Sequence, residues 1–170
     1  ILDDFSLALL FAAIISILMI SFIGFADDLI IKRSGESSSG LKQWQKPLLT
    51  LAAAVPLMVI RAGFTTMNFP FIGDVEFGVF YPLILIPIGV VGAANMVNLL
   101  AGFNGMEAGM GIIYIGMLGI YAFVNERHIA ALIALVSIAS LLAFYYYNRF
   151  PAKILPGDSL TYLLGALIAV

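Results

Sequence analysis

Long unbroken apolar runs alternate along the chain with short polar stretches. The runs are Phe5–Ala26, Pro47–Ile60, Pro82–Ala101, Met106–Val124 and Ile129–Tyr147, and a sixth starts near Ser159 and continues to Val170. Apolar stretches of about 17–25 residues predict transmembrane helices, because backbone polar groups in hydrocarbon must be satisfied within their own segment. The second run reaches about 17 residues only with its flanks, so a re-entrant segment competes with a full crossing there. Five full spans and a truncated sixth are the expectation: an all-α integral membrane bundle. Between the second and third runs, Thr65–Phe69 and Ile72–Phe80 carry β-branched and aromatic residues around Gly73-Asp74. That pattern predicts a small β-hairpin turning at the Gly-Asp pair.

Lys and Arg orient this bundle. With five crossings, Lys32, Arg33, Lys42, Lys46, Arg149 and Lys153 fall on one side and only Arg61 and Arg127 on the other. The positive-inside rule makes the first side cytoplasmic and the hairpin extracytoplasmic. The first cytoplasmic connection, from Asp27 to Lys46, holds Ser34-Gly35-Glu36-Ser37-Ser38-Ser39-Gly40 and reads as a mobile loop.

Composition agrees with a lipid environment. Of 170 residues, 62% are hydrophobic and 11% charged, with mean hydropathy +1.09. Soluble domains carry about 25% charged residues, so this chain could not hide its apolar surface in water. A net charge of −2 gives no reason to expect a nucleic-acid partner, and without cysteine there is no disulfide or thiolate metal site. The chain opens at Ile1 with no basic leader, and its last apolar run is short of a full span. Residues 1–170 are therefore expected to be the central part of a single transmembrane domain, truncated at both ends.

Polar residues that played no part in the orientation fall on the same side. Asp27 and Asp28 close the first run, Asn95 and Asn98 lie in the last turns of the third, and Asn104 and Glu107 follow. Asn148 ends the fifth, and Asp158 precedes the sixth. Each has an ordinary structural reading. Asp27 and Asp28 could be a solvated helix end, though acids suit a helix C-terminus poorly. Asn95 and Asn98 share a helix face and could be interhelical glue. Asn104-Gly105 is a common turn, Glu107 could complement a helix dipole, and Asp158 or Ser159 could cap the last helix. Asn148, Arg149 and Lys153 make a basic connection suited to phosphate or to anionic lipid. Phe144 to Tyr147 and Trp44 read as an aromatic belt, and His128 receives no role. Together these groups describe a cleft of carboxylates, amides and lysines, the inventory for Mg²⁺-assisted phosphoryl chemistry.

Three ordered motifs carry a resemblance: Phe25-Ala26-Asp27-Asp28, the stretch from Asn95 to Gly109, and the stretch from Asn148 to Asp158. They resemble the polyprenyl-phosphate N-acetylhexosamine-1-phosphate transferases, and the resemblance covers essentially the whole chain. It implies a multi-helix enzyme that moves a sugar-1-phosphate from a UDP-sugar donor to an isoprenoid phosphate and releases UMP. Asp158 and Asn98 would hold Mg²⁺, with Mn²⁺ as its substitute. Asp27 and Asp28 would line the acceptor-phosphate side, and Lys46 would contact phosphate. Asn104 would lie near uracil with Leu155 beside it, while Glu107 and Asn95 would support the cleft and Asn148 and Lys153 its phosphate side. Ala101-Gly102-Phe103-Asn104-Gly105 resembles the eukaryotic and archaeal branch, whose donor is UDP-GlcNAc and acceptor dolichyl phosphate. The resemblance implies a plasma or endoplasmic-reticulum membrane, a cytoplasmic active site, and is compatible with a homodimer. The alternatives are a bacterial-type transferase using undecaprenyl phosphate and an ion-coupled transporter; the latter would place its acids near mid-membrane.

Overall fold

The computed structural model describes residues 3–34 and 40–170. The expected mobile stretch from Gly35 to Ser39 lies outside the described residues. Among the described residues the regular elements are helices except for one hairpin. Helix α1 spans Asp4–Ser34, α2 Gln45–Ala53 and α3 Val55–Val59; strands β1 and β2 are Thr66–Phe69 and Gly73–Glu76. A π-helical turn, Tyr81–Leu85, leads into α4 at Ile86–Leu99, followed by α5 at Met106–Val124, α6 at His128–Asn148 and α7 at Asp158–Ala169. Among the described residues, four helices are long and apolar enough to cross a membrane: Asp4–Arg33, Tyr81–Leu99, Met106–Val124 and His128–Asn148.

Two expectations about these helices change. Helix α1 does not stop at Ala26 but runs on through Asp27 and Asp28, and its last turn holds Lys32 and Arg33. The acids therefore lie inside the helix, and the basic pair takes the end where the macrodipole favours it. The second run is not one span but two short helices broken at Ala54. Pro56 has no N–H for the Ala52 carbonyl, and the Ala54 N–H turns back to Leu51 O at 3.1 Å instead. Even so, α2 and α3 pass from one end of the bundle to the other. Lys46 at the start of α2 meets Asp158 at the start of α7, whereas Leu57 and Ala62 line the same cavity as Ala169 and Val170 at its end.

The hairpin sits at that second end, because Gly63 and Met67 line the same cavity. Its strands pair antiparallel with Thr66 opposite Glu76 and Phe69 opposite Gly73. The chain reverses at Pro70, Phe71 and Ile72, with Ile72 N–H bonded to Phe69 O at 3.2 Å, so the turn precedes the expected Gly73-Asp74 pair. Asp74 instead lies in β2 and accepts a cross-strand bond from Asn68 Nδ2 at 2.7 Å. Pro70, which cannot donate to a ladder, ends β1.

Helix α7 is the keystone of the packing. It contributes Tyr162 and Ala166 to a core shared with α1, α2, α3 and α4, and Leu164 to a second core shared with α5 and α6. Small residues let it in. Gly24 of α1 lies against the backbone of Asp158, and Gly165 of α7 lies against the backbone of Ala93 and Ala94 in α4. Close backbone approach at small residues is how apolar helices associate where lipid removes the hydrophobic drive.

Candidate functional site

Asp27, Lys46 and Asp158 come together from three separate elements. Asp27 is buried in α1 at 1% exposure and accepts the Leu41 N–H through Oδ1. The Lys46 ammonium, in the first turn of α2, pairs with Asp27 Oδ2 and with Asp158 Oδ2 at 2.9 Å. It also lies 5.8 Å from the centre of the Tyr162 ring. Burial works against the Lys46 charge, but the hydrogen bonds to Asp27 and Asp158 outweigh it and hold the ammonium's pKa above the ordinary lysine value. Gly40 has no room for a side chain, because a Cβ there would run into Asp27 Oδ1.

Asp28 sits beside this trio but faces another way. Its Oδ1 accepts the Asp158 N–H at 2.9 Å, and its Oδ2 accepts the Ser159 N–H at 3.0 Å and the Ser159 hydroxyl at 2.7 Å. The cap of α7 is thus supplied from α1, not by Asp158 or Ser159 as their sequence position suggests. Gly157 is required at the junction, since a Cβ there would strike the Asp28 carboxylate.

The two amides of α4 reach different partners. Asn98 Nδ2 donates to Thr161 Oγ1 at 2.9 Å, and the Thr161 hydroxyl in turn donates to Asp158 O at 3.1 Å. Asn95 Nδ2 donates to Thr50 Oγ1 at 3.1 Å and to Val91 O, while its Oδ1 accepts the Tyr162 hydroxyl at 3.2 Å. Asn95 therefore ties α4 to α2 and α7 one turn below the carboxylates. Thr50, Thr161 and Tyr162 had no place in the sequence reading. Their signal was available: each is a polar side chain just inside an apolar run, on the helical spacing of Lys46 or Asp158.

The other expected residues stand apart. Asn148 is fully buried and donates to Ile154 O at 2.9 Å, which closes the connection between α6 and α7. Lys153, Leu155 and Asn104 are exposed. Glu107 is 6% exposed, and its Oε1 accepts the Gly102 N–H. Of the supposed aromatic belt, Phe144 and Tyr145 are packed against the second core, while Tyr146 and Tyr147 remain exposed.

Among the described residues no three of His, Cys, Asp and Glu converge on one point. The donor set at the centre of the site is two carboxylates, Asp27 and Asp158, with the Asn98 amide beside them. Hard oxygen donors of this number suit Mg²⁺, which keeps several waters and is typically held by one or two carboxylates plus substrate phosphates. The arrangement fits an ion shared with a phosphate-bearing substrate and not a cage built by protein alone.

Comparison with known proteins places the chain in a family. The family model described as glycosyl transferase family 4 matches residues 10–170. A protein of Saccharolobus solfataricus, provisionally named UDP-N-acetylglucosamine–dolichyl-phosphate N-acetylglucosaminephosphotransferase, is 40% identical over 162 residues, covering 92% of this chain and 47% of that one. A Sulfolobus acidocaldarius protein with the same provisional name is 31% identical, covering 91% and 45%. The phospho-N-acetylmuramoyl-pentapeptide-transferase of Streptococcus thermophilus is 35% identical over 156 residues, covering 91% and 45%. The chain spans about half the length of the curated relatives it matches.

Proposed function

The chain belongs to glycosyl transferase family 4, and on that premise we propose that it forms the catalytic centre of an integral membrane enzyme transferring GlcNAc-1-phosphate from UDP-GlcNAc to a dolichyl-type polyprenyl phosphate. The observation that carries this reading is the Asp27–Lys46–Asp158 trio, built from α1, α2 and α7 at one end of an apolar bundle. Support for the donor and acceptor comes from the 40% identical relative, whose name specifies both.

In the reaction, a phosphate oxygen of the lipid acceptor attacks the sugar-linked β-phosphorus of the donor. A new P–O bond forms, the bond from that phosphorus to the bridging oxygen breaks, and its electron pair leaves with UMP. A phosphate monoester is largely ionised near neutral pH, its second pKa being about 6, so no dedicated base is required. Lys46 supplies positive charge where phosphate oxygens gather. Asp158 and Asp27, with Asn98, would hold Mg²⁺, which would neutralise pyrophosphate charge when bound. Asp28 is a positioning residue that sets the first turn of α7, and Asn95 fixes α4 against α2 and α7. Asn104, exposed on the loop after α4, would meet the nucleotide, and the exposed Lys153 its phosphates. We assign this end of the bundle to the cytoplasmic face from the six basic residues on that side, with five end-to-end passages before α7.

A second reading has its own support. The 35% identity to phospho-N-acetylmuramoyl-pentapeptide-transferase favours a bacterial-type reaction on another UDP-sugar and undecaprenyl phosphate. The test uses the full-length protein in detergent or liposomes with labelled UDP-GlcNAc, dolichyl phosphate and Mg²⁺, comparing wild type with Asp158→Ala and Asn98→Ala. Label in the lipid that requires the divalent ion and disappears in both variants supports the reaction and the site together. Transfer that survives in the variants removes the site assignment. Transfer only with a different UDP-sugar moves the answer to the second reading.

A further inference from the structure

Glu107 opens α5 directly after the loop that holds Gly102, Asn104 and Gly105, and it is almost fully buried. One of its oxygens takes the Gly102 N–H. The other, Oε2, has no hydrogen-bond partner among the described residues, and neither does the buried hydroxyl of Tyr114. These two side chains line a single small cavity together with Val97, Leu100, Met106 and Met110. The coincidence is informative, because an unpaired carboxylate oxygen and an unpaired phenol are each costly in apolar surroundings. Both residues border the same space.

The cavity measures about 20 Å³, and one water needs about 10–15 Å³ by the same measure. Tyr114 lies two helical turns beyond Glu107, on the same face, and side chains on a helix lean toward its N-terminus. The phenol therefore leans toward the end of α5 that carries Glu107. A single water donating to Glu107 Oε2 and accepting from the Tyr114 hydroxyl would satisfy both groups.

The loop above explains why such a prop matters. Gly102 and Gly105 have φ of +149° and +78°, conformations that L residues rarely adopt. Gly105 also lies tight against Arg149 and Tyr145, with 3.1 Å and 3.2 Å left for a Cβ. Asn104 between them is exposed. The Gly102–Glu107 bond ties the loop's first half to the helix.

We propose that Glu107, steadied by a buried water shared with Tyr114, is a positioning residue that fixes the Ala101–Gly105 loop and so presents Asn104 to the donor nucleotide. Glu107 touches no substrate in this scheme and acts through the Gly102 N–H. The nucleotide half of the proposal rests on the transferase reading above; the loop half does not.

The experiment uses the full-length protein and the variants Glu107→Ala, Glu107→Gln and Tyr114→Phe. Amide hydrogen exchange is followed on the peptide containing Gly102, and KM is measured separately for UDP-GlcNAc and for the lipid phosphate. Glu107→Ala should speed exchange of the Gly102 amide about tenfold and raise the UDP-GlcNAc KM about tenfold, with the acceptor KM within about twofold of wild type. Glu107→Gln should restore both, because its carbonyl oxygen can accept the Gly102 N–H while its amide donates to the water. Tyr114→Phe should fall between wild type and Glu107→Ala. Unchanged Gly102 exchange in Glu107→Ala overturns the proposal, whatever the kinetics show. Faster exchange with both KM values rising alike overturns the nucleotide half, because that is the mark of general loosening. If UDP-GlcNAc is not a substrate, exchange still decides the loop half, and UMP binding replaces KM for the nucleotide half.

Discussion

Removing the Asp28 carboxylate tests the most specific geometry in the site. Asp28 holds the start of α7 through three hydrogen bonds, two from backbone N–H groups and one from the Ser159 hydroxyl. An N-cap is worth about 1 kcal/mol and up to about 2. A negative charge at a partly buried helix N-terminus adds about 0.3–1 kcal/mol, and the hydroxyl bond about 0.5–1.5. These contributions share one carboxylate and overlap, so Asp28→Ala should cost about 2–3 kcal/mol and not their sum. Asp28→Asn keeps one acceptor oxygen but loses the charge, and should cost about 1–2 kcal/mol. Ser159→Ala should cost about 0.5–1 kcal/mol. The assay is denaturant unfolding of the full-length protein in mild detergent, read by helical circular dichroism, on the three single variants and the Asp28→Ala/Ser159→Ala double variant. Coupling of at least about 0.5 kcal/mol is expected, because the two residues share a bond. An Asp28→Ala cost within about 0.5 kcal/mol of zero, or additivity within about 0.3, would refute the claim that α1 caps α7.

Further expectations concern the packing and charge around the same helix. Lys46→Met should destabilise the protein at neutral pH. Because the folded-state pKa of Lys46 is raised, its stabilising contribution is fully present below the ordinary value of about 10.4 and fades only as pH climbs through the higher folded value. The stability gap between wild type and Lys46→Met should therefore stay level from about pH 7 to 9 and narrow only in stronger alkali; a gap that closes by pH 8 would contradict this. Gly165→Val should cost about 2–3 kcal/mol or more by driving a Cβ into the backbone of Ala93 and Ala94. Gly89→Ala, with nothing within 4 Å of its Cβ, should be neutral or stabilising by up to about 1 kcal/mol, which makes it the control in the same unfolding assay. Asn95→Ala removes two interhelical hydrogen bonds, at about 0.6 kcal/mol each on average in membrane helices, so a loss near 1 kcal/mol is expected, with Tyr162→Phe costing about half as much.

Helix existence and order were legible because a lipid-facing helix advertises itself by length and apolarity alone. The break at Ala54 was harder, because Pro56 sits in a run whose apolarity does not change across it. The end of α1 was misjudged for a related reason. Hydropathy stops at Asp27, but the backbone ladder does not, and Leu41 and Lys46 come back over the buried Asp27. Pairings of this kind cross long stretches of chain: Asp28 with Ser159, Asn98 with Thr161, Lys46 with Asp158. Side-of-membrane reasoning could place these residues at one level, but it could not say which would touch. The turn of the hairpin was shifted because Gly73 was read as the tightest point, whereas Pro70 stops the first strand before it.

The charge balance of the trio limits what its centre can accept. Lys46 Nζ lies 2.5 Å from Asp27 Oδ2 and 2.9 Å from Asp158 Oδ2, so the two oxygens are no more than about 5.4 Å apart. At an effective dielectric of about 20, two carboxylates at that separation repel by about 3 kcal/mol. Without a cation between them, one would have to take up a proton or move away. Movement is restrained on both sides: Asp27 by the Leu41 N–H and by Gly24 close packing one turn earlier, Asp158 by the Asp28 cap. The fold therefore holds two acids together against their repulsion and relies on a cation to make that tenable. Lys46 fills the role on its flexible stem, as a point charge and not a planar fork, so it can yield the position without dismantling the pocket. A phosphate arriving without positive charge of its own would have to compete with both carboxylates for that one ammonium. One arriving with a divalent cation would leave Lys46 free for its oxygens, which is the physical reason to expect nucleotide and metal to bind together at this site.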